Sequence, residues 1–374
     1  MRTWILPEHI EDILPPEAEK IERLRSALLG LFASHGYEQV IPPLIEFTES
    51  LLTGTGHDLD LATFKLVDQL SGRMMGLRAD ITPQVARIDA HLLRRSRMTR
   101  LCYAGSVVRT IPAGVSGTRE MQQIGAEVYG HPGLEADMEV VKLMLDALRM
   151  TKVPDIRLDL GHVKVFRALI KRARVAPELE AEVFAAVKAK DETEISLLTR
   201  DLPAADRKGM ITLPTLYGGI DVLDRAASEL PDDPEIARAL ADLRRLAECG
   251  DAISVDLAEL RGYQYHNGVV FSAFGGDRAL GYGGRYDDVG KAFGNARPAT
   301  GFTIDLRELA RVAPSEGRSR LILAPYAQDR ALKIKIAELR QSGERVITAM
   351  PGEEQSDCDS ALVLRDGEWR VEPR

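Results

Sequence analysis

The stretch Thr99–Gly130, TRLCYAGSVVRTIPAGVSGTREMQQIGAEVYG, constrains this chain more than any other. Leu101 to Arg109 and Gln122 to Tyr129 are rich in Val, Ile, Leu and Tyr, residue types that suit a pleated sheet. Pro112, Gly114, Ser116 and Gly117 between them mark a turn, so two strands joined in a hairpin are expected. The apolar pattern is interrupted by Arg109, Arg119, Gln123 and Glu127. The even spacing of Gln123 and Glu127 puts both on one sheet face. Two cations, an amide and a carboxylate converging there fit the lining of a small-molecule site. The same pattern also fits a solvated edge hairpin.

The flanking segments add elements and further candidates. From Glu17, the residues Ile21, Leu24, Leu28, Leu31 and Phe32 fall on one helical face, and Gly36 is placed to end the helix. A short strand in GYEQVIPPLIE is stopped by Pro42 and Pro43. Phe64 to Arg78 reads as a hairpin turning at Ser71-Gly72, which delivers LRADITPQVAR. There Thr82 is a good N-cap and Pro83 suits the first helical position, with Asp80 just ahead. Gly133 to Met150 carries a core stripe of Val140, Val141, Met144, Leu145 and Leu148. A strand over Ile156 to Leu160 and a helix through Arg174 follow. Residues 176–250 turn to Ala, Glu, Leu, Lys and Arg at helical spacing, with no constellation of titratable groups that marks a site. Strand character returns at Ala252, and alternation through ELRGYQYHNGVVFSAF places Arg261, Tyr265 and Asn267 on one face, with His266 beside them. LGYGGRYD lacks the Lys-Ser/Thr of a phosphate loop, and ATGFTIDLRELARV reads strand then helix. A linker from Pro314 leads into a small α/β tail.

The order of these segments resembles the class II aminoacyl-tRNA synthetases, and within them the histidyl branch. Arg109, Arg119, Gln123 and Glu127 match that family's second signature motif, and the strand at Pro43 matches its first, which builds a dimer interface. Asp80 and Thr82 stand where the family holds the α-amino group of histidine. Arg261, Gly262 and Tyr265 match one histidine-specific motif, and Gly283-Gly284-Arg285-Tyr286-Asp287 matches the other. Three departures concern ATP. Ile111 replaces a glutamate, Glu308 stands at the arginine that pairs with the γ-phosphate, and Arg307 on the neighbouring position points about 100° away. The tail also stops well short of an anticodon-binding domain.

The resemblance therefore implies an α+β fold: a class II synthetase-like antiparallel sheet flanked by helices. The core is expected in residues 1–175 and 251–312, a helical insertion in 176–250, and a truncated α/β domain in 313–374. It further implies the non-catalytic paralogues that serve ATP phosphoribosyltransferase as regulatory subunits in histidine biosynthesis. Their implied partner is the short-form catalytic subunit, in a hetero-octamer built on a homodimer core, with free histidine as effector. The implied histidine-binding residues are Asp80, Thr82, Arg109, Gln123, Glu127, Arg261, Tyr265 and Tyr286, with no catalytic residue, metal or cofactor. Two other readings are an active histidyl-tRNA synthetase and a paralogue that activates histidine for another acceptor. Both need the ATP contacts that have changed here. The net charge of −8, without a Lys/Arg-rich run, argues mildly against a nucleic-acid partner, tRNA included. Cys102, Cys249 and Cys358 lack metal-ligand spacing. With no 18-residue apolar run and no basic-then-apolar leader, a soluble cytoplasmic chain away from membranes is expected.

Overall fold

The central hairpin forms as its composition demands and anchors a nine-stranded sheet. The computed structural model describes residues 4–54, 57–112, 117–294, 296–315, 320–351 and 357–374. In chain order the strands are β1 (Glu38–Gln39), β2 (Ile45–Phe47), β3 (Lys65–Val67), β4 (Met74–Leu77), β5 (Thr99–Val108), β6 (Glu120–Tyr129), β7 (Ile156–His162) and β8 (Tyr217–Gly218). They continue as β9 (Ile253–Asp256), β10 (Val269–Gly275), β11 (Arg278–Arg285), β12 (Ala299–Asp305), β13 (Leu321–Ala324), β14 (Arg345–Thr348), β15 (Ser360–Arg365) and β16 (Glu368–Pro373). The turn residues Gly114 and Ser116 lie outside the described residues.

The large sheet runs β1-β5-β6-β12-β11-β10-β7-β9-β8. Its six inner strands, β5 to β7 in that order, are antiparallel throughout. Towards its edges β1 pairs with β5 and β9 with β7 in parallel, additions that no local alternation signals. A smaller sheet, β2-β4-β3, contains the hairpin expected at Ser71-Gly72, with Gly72 at φ +72°.

Helices cover the sheet with the faces their periodicity dictates. The helix Leu134–Met150 buries Val140, Val141, Met144, Leu145 and Leu148. The helix Glu17–Ser34 buries Ile21, Leu28 and Phe32, and Phe32 meets Phe302 of β12 edge-to-face at 5.8 Å. Fully burying side chains of this size contributes roughly 1.5–3 kcal/mol each. The helices between Pro177 and Leu246 send Val183, Val187, Ile195, Leu240 and Leu243 into the same apolar cluster as the sheet. One buried ion pair ties sheet to helix: the Arg285 guanidinium donates to Asp137 Oδ2 at 2.7 and 3.0 Å, and to the carbonyls of His131 and Gly133. It fixes the end of β11, where Tyr286 leaves the sheet.

Contacts divide the chain into two compact units, Met1–Pro314 and Ser315–Arg374. The second unit is a four-stranded sheet, β14-β13-β15-β16, with the helix Arg330–Gln341. Its core is Ile322, Ala324, Leu332, Ile336, Val346 and Leu362.

Candidate functional site

A cavity of about 830 Å³ lies in the first unit. It is lined from β6, β10, β11 and β12, from residues after β4 and β5, from the loop between β9 and β10, and from the helix Pro177–Lys188. Asp80, Thr82, Arg109, Gln123, Glu127, Arg261, Tyr265 and Tyr286 all line it, so the structure brings the eight sequence-derived candidates together. Arg119 and Asn267 are not among the lining residues. The Arg119 guanidinium lies 4.7 Å from the Phe64 ring, and the Asn267 side chain accepts from the Asp287 N–H.

Glu127 is fully buried, at 1% exposure. Its Oε1 accepts from the Thr82 and Tyr103 hydroxyls at 3.1 Å each, and its Oε2 from the Tyr286 hydroxyl at 2.6 Å. The Tyr129 hydroxyl lies 3.1 Å behind that of Tyr286. Burial, reinforced by the negative charge of Asp80, outweighs these donors and pushes the Glu127 carboxyl up to about 8. A Cβ on Gly301 of β12 would overlap the Glu127 carboxyl, so glycine is required where the two strands lie side by side.

Asp80 and Gln123 organise the chain before the helix Thr82–Arg87. Asp80 Oδ1 accepts from the Thr82 N–H at 2.9 Å, and Gln123 Oε1 accepts from the Ile81 N–H at 3.1 Å. Thr82 is therefore not the cap its sequence position suggests: it is the first helical residue, behind Ile81 at the cap position, and its hydroxyl turns to Glu127. Gln123 Nε2 is buried with no hydrogen-bond partner among the described residues, which leaves the cavity an amide donor.

The Arg261–Asn267 segment is a loop rather than the strand expected from alternation. Gly262 at φ +63° turns the chain, and its carbonyl accepts from the N–H groups of both Tyr265 and His266. Asn267 accordingly stays off the cavity wall, while the turn still delivers Arg261 and Tyr265 to it. The Arg261 guanidinium is exposed and stacks 4.0 Å over the Tyr282 ring. His266 also lines the cavity, 4.2 Å from the Tyr265 ring, with Nδ1 3.1 Å from the Arg285 carbonyl. Burial lowers this imidazole to about 4, so it is neutral near pH 7 and Nδ1 carries the proton.

The helical segment contributes residues that its sequence did not advertise. Phe184 and Lys188 line the cavity, together with Tyr263 from the loop. Tyr263 stacks on Phe184 at 5.1 Å and donates its hydroxyl to Glu180 at 2.8 Å. The Arg167 guanidinium holds the carbonyls of Tyr263 and His266 at 2.7 and 2.9 Å. These contacts join residues far apart in the chain, and local periodicity carries no signal for them. Tyr103 gives no signal for another reason: in the central hairpin a tyrosine is an ordinary strand residue.

The positions expected to hold ATP do not supply cations to the cavity. Arg307 is buried away from it, donating to Glu11 at 2.6 Å, while Glu308 pairs with Arg278 at 2.8 Å and with Arg311. Ile111 is solvent-exposed. Among the described lining residues the basic groups are Arg109, Lys188 and Arg261, besides neutral His266. Carboxyl groups, guanidinium groups and tyrosine rings lining one cavity suit a small zwitterion with an aromatic side chain.

The chain is similar to known proteins along almost its whole length. A family model described as histidyl-tRNA synthetase matches residues 9–309. A second, described as the ATP phosphoribosyltransferase subunit HisZ C-terminal domain, matches residues 319–372. The chain is 56% identical to an ATP phosphoribosyltransferase regulatory subunit of Ralstonia nicotianae, covering 100% of this chain and 99% of the relative. It is equally identical to one of Paraburkholderia phytofirmans, with 100% of both chains covered. A crystal structure described as an ATP phosphoribosyltransferase regulatory subunit/histidyl-tRNA synthetase from Bacillus halodurans superposes with a TM-score of 0.84 at 25% identity, covering 96% of each chain. A histidyl-tRNA synthetase from Nostoc shares the fold, with a TM-score of 0.77 at 18% identity over 96% of this chain and 91% of that one.

Proposed function

The chain belongs to the ATP phosphoribosyltransferase regulatory subunits of the histidyl-tRNA synthetase-like family, and on that premise we propose that its cavity is the histidine sensor of the complex. It is a regulatory subunit and not a catalytic one. One observation carries the proposal. All eight candidate residues meet in one cavity, while Arg307 and Glu308 are engaged elsewhere. Asp80 would take the ligand ammonium, Arg261 with Arg109 the carboxylate, and Tyr265 and Tyr286 the ring. Gln123 Nε2 would donate to the ligand, and Thr82 would act through Glu127.

We further propose a homodimer core carrying short-form catalytic subunits in a cytoplasmic hetero-octamer. No described helix is long and apolar enough to cross a membrane. The small sheet leaves Ile45, Leu66, Val67 and Met74 partly uncovered, and Ile41 and Leu44 just before it are exposed as well. A second copy would cover these side chains.

Reconstitution tests both parts. Solution scattering of the purified chain should give a dimer at micromolar concentration. Adding the short-form catalytic subunit should give a larger assembly whose phosphoribosyl transfer falls as histidine rises. A monomer counts against the dimer core, and an assembly indifferent to histidine counts against the sensor.

A further inference from the structure

Glu127 is a carboxyl group buried at 1% exposure whose recorded partners are the hydroxyls of Thr82, Tyr103 and Tyr286. None of its recorded contacts is an ion pair. A buried carboxylate without a cation is costly, and such a group stays neutral until a cation reaches it. The hydroxyls suit either state. An ionised Glu127 accepts from all three, whereas a protonated one can donate to the Tyr286 hydroxyl, which can pass its own proton towards Tyr129 at 3.1 Å. The other charged and titratable groups lining this pocket are Asp80, Glu259, Arg109, Lys188, Arg261, neutral His266 and the tyrosines Tyr263, Tyr265, Tyr282 and Tyr286, with Tyr103 packed on Glu127 itself.

We propose that Glu127 and the ring of the bound ligand share a single proton, so that the cavity selects a weakly basic heteroaromatic side chain within a bounded pH window. This rests on the histidine reading above, in which Asp80 meets the ammonium and Arg261 the carboxylate, leaving Glu127 for the ring. The proton balance is explicit. The empty carboxyl holds its proton up to about pH 8, and a free imidazole is neutral above about pH 6.5. Between these values the protein brings the one proton and the ligand a neutral ring, so no net exchange occurs. Below the window both partners arrive protonated and one proton must leave. Above it neither carries one, and a proton must be taken up.

Affinity should therefore fall about tenfold per pH unit on either side of the window. Calorimetric titration of the full chain with L-histidine, in paired buffers of different ionisation enthalpy, reads the exchange directly. Glu127 and the ring should together account for about 0.75 proton released at pH 6, none near pH 7.25, and about 0.75 taken up at pH 8.5, where the ligand's amino group adds its own uptake on binding as ammonium. The Glu127→Gln variant keeps the shape but holds no proton. At pH 8.5 it should take up about 0.75 proton less than wild type, keeping only the share of the ligand's amino group, and at pH 6 it should keep the release. Release of nearly one proton at pH 7.25 would instead mean that Glu127 ionises against the ammonium, and would overturn the proposal. So would wild-type exchange in the variant. Absence of saturable binding at every pH would overturn the histidine reading itself, an outcome separate from binding with the wrong proton count.

Discussion

The Arg261→Ala variant, assembled with the catalytic subunit, should keep basal activity and require about thirtyfold more histidine for half-maximal inhibition. Arg261 is exposed over Tyr282, with no carboxylate recorded on its guanidinium, so its removal leaves the fold intact. A charge-assisted hydrogen bond of this kind contributes about 2 kcal/mol, which corresponds to that concentration shift. The exposed setting keeps the figure below that of a fully desolvated pair. By linkage, weaker binding of the effector must appear as weaker control of the partner at a given concentration. An inhibition curve that matches wild type would place the sensor outside this cavity.

The second large effect is on stability. Asp137→Ala should lower the unfolding free energy of the larger unit by about 3–5 kcal/mol, because it leaves the Arg285 guanidinium buried without its main counter-charge. Arg285 and Asp137 side chains are 7% and 2% exposed, so water cannot replace the carboxylate without opening the structure. Asp287, 3.2 Å from Arg285, offsets part of the loss and argues for the lower end of that range. Chemical denaturation followed by circular dichroism measures it. A loss under 1 kcal/mol would show that the pair does not anchor β11 as described. Tyr286 follows Arg285 directly, so the same variant should also weaken histidine binding.

The elements were legible wherever a segment buries one face. The central hairpin, the helix at Leu134–Met150 and the small-sheet hairpin follow from periods of two and 3.6 and from turn residues. The loop at Arg261–Asn267 was not, because its course is set by Gly262 at φ +63° and by Arg167 reaching across from another helix. Alternating polar and apolar types there imitate a strand. The candidate site itself was legible mainly through the resemblance, which supplied eight residues from separate segments that local pattern could not join. It supplied neither Phe184 and Lys188, which lie in an amphipathic helix without local distinction, nor the hydroxyl cage around Glu127. That cage depends on the register of β5 with β6 and of β6 with β12.

On the proposed reading, this chain has kept a site for histidine while losing the means to activate it. The most direct measurement pairs equilibrium dialysis of L-histidine against the purified chain alone with pyrophosphate exchange on the same sample. Saturable binding of one histidine per chain, without the catalytic subunit and without exchange above a protein-free blank, is the predicted result. Histidine-dependent exchange, or binding that appears only when the catalytic subunit is added, would contradict it.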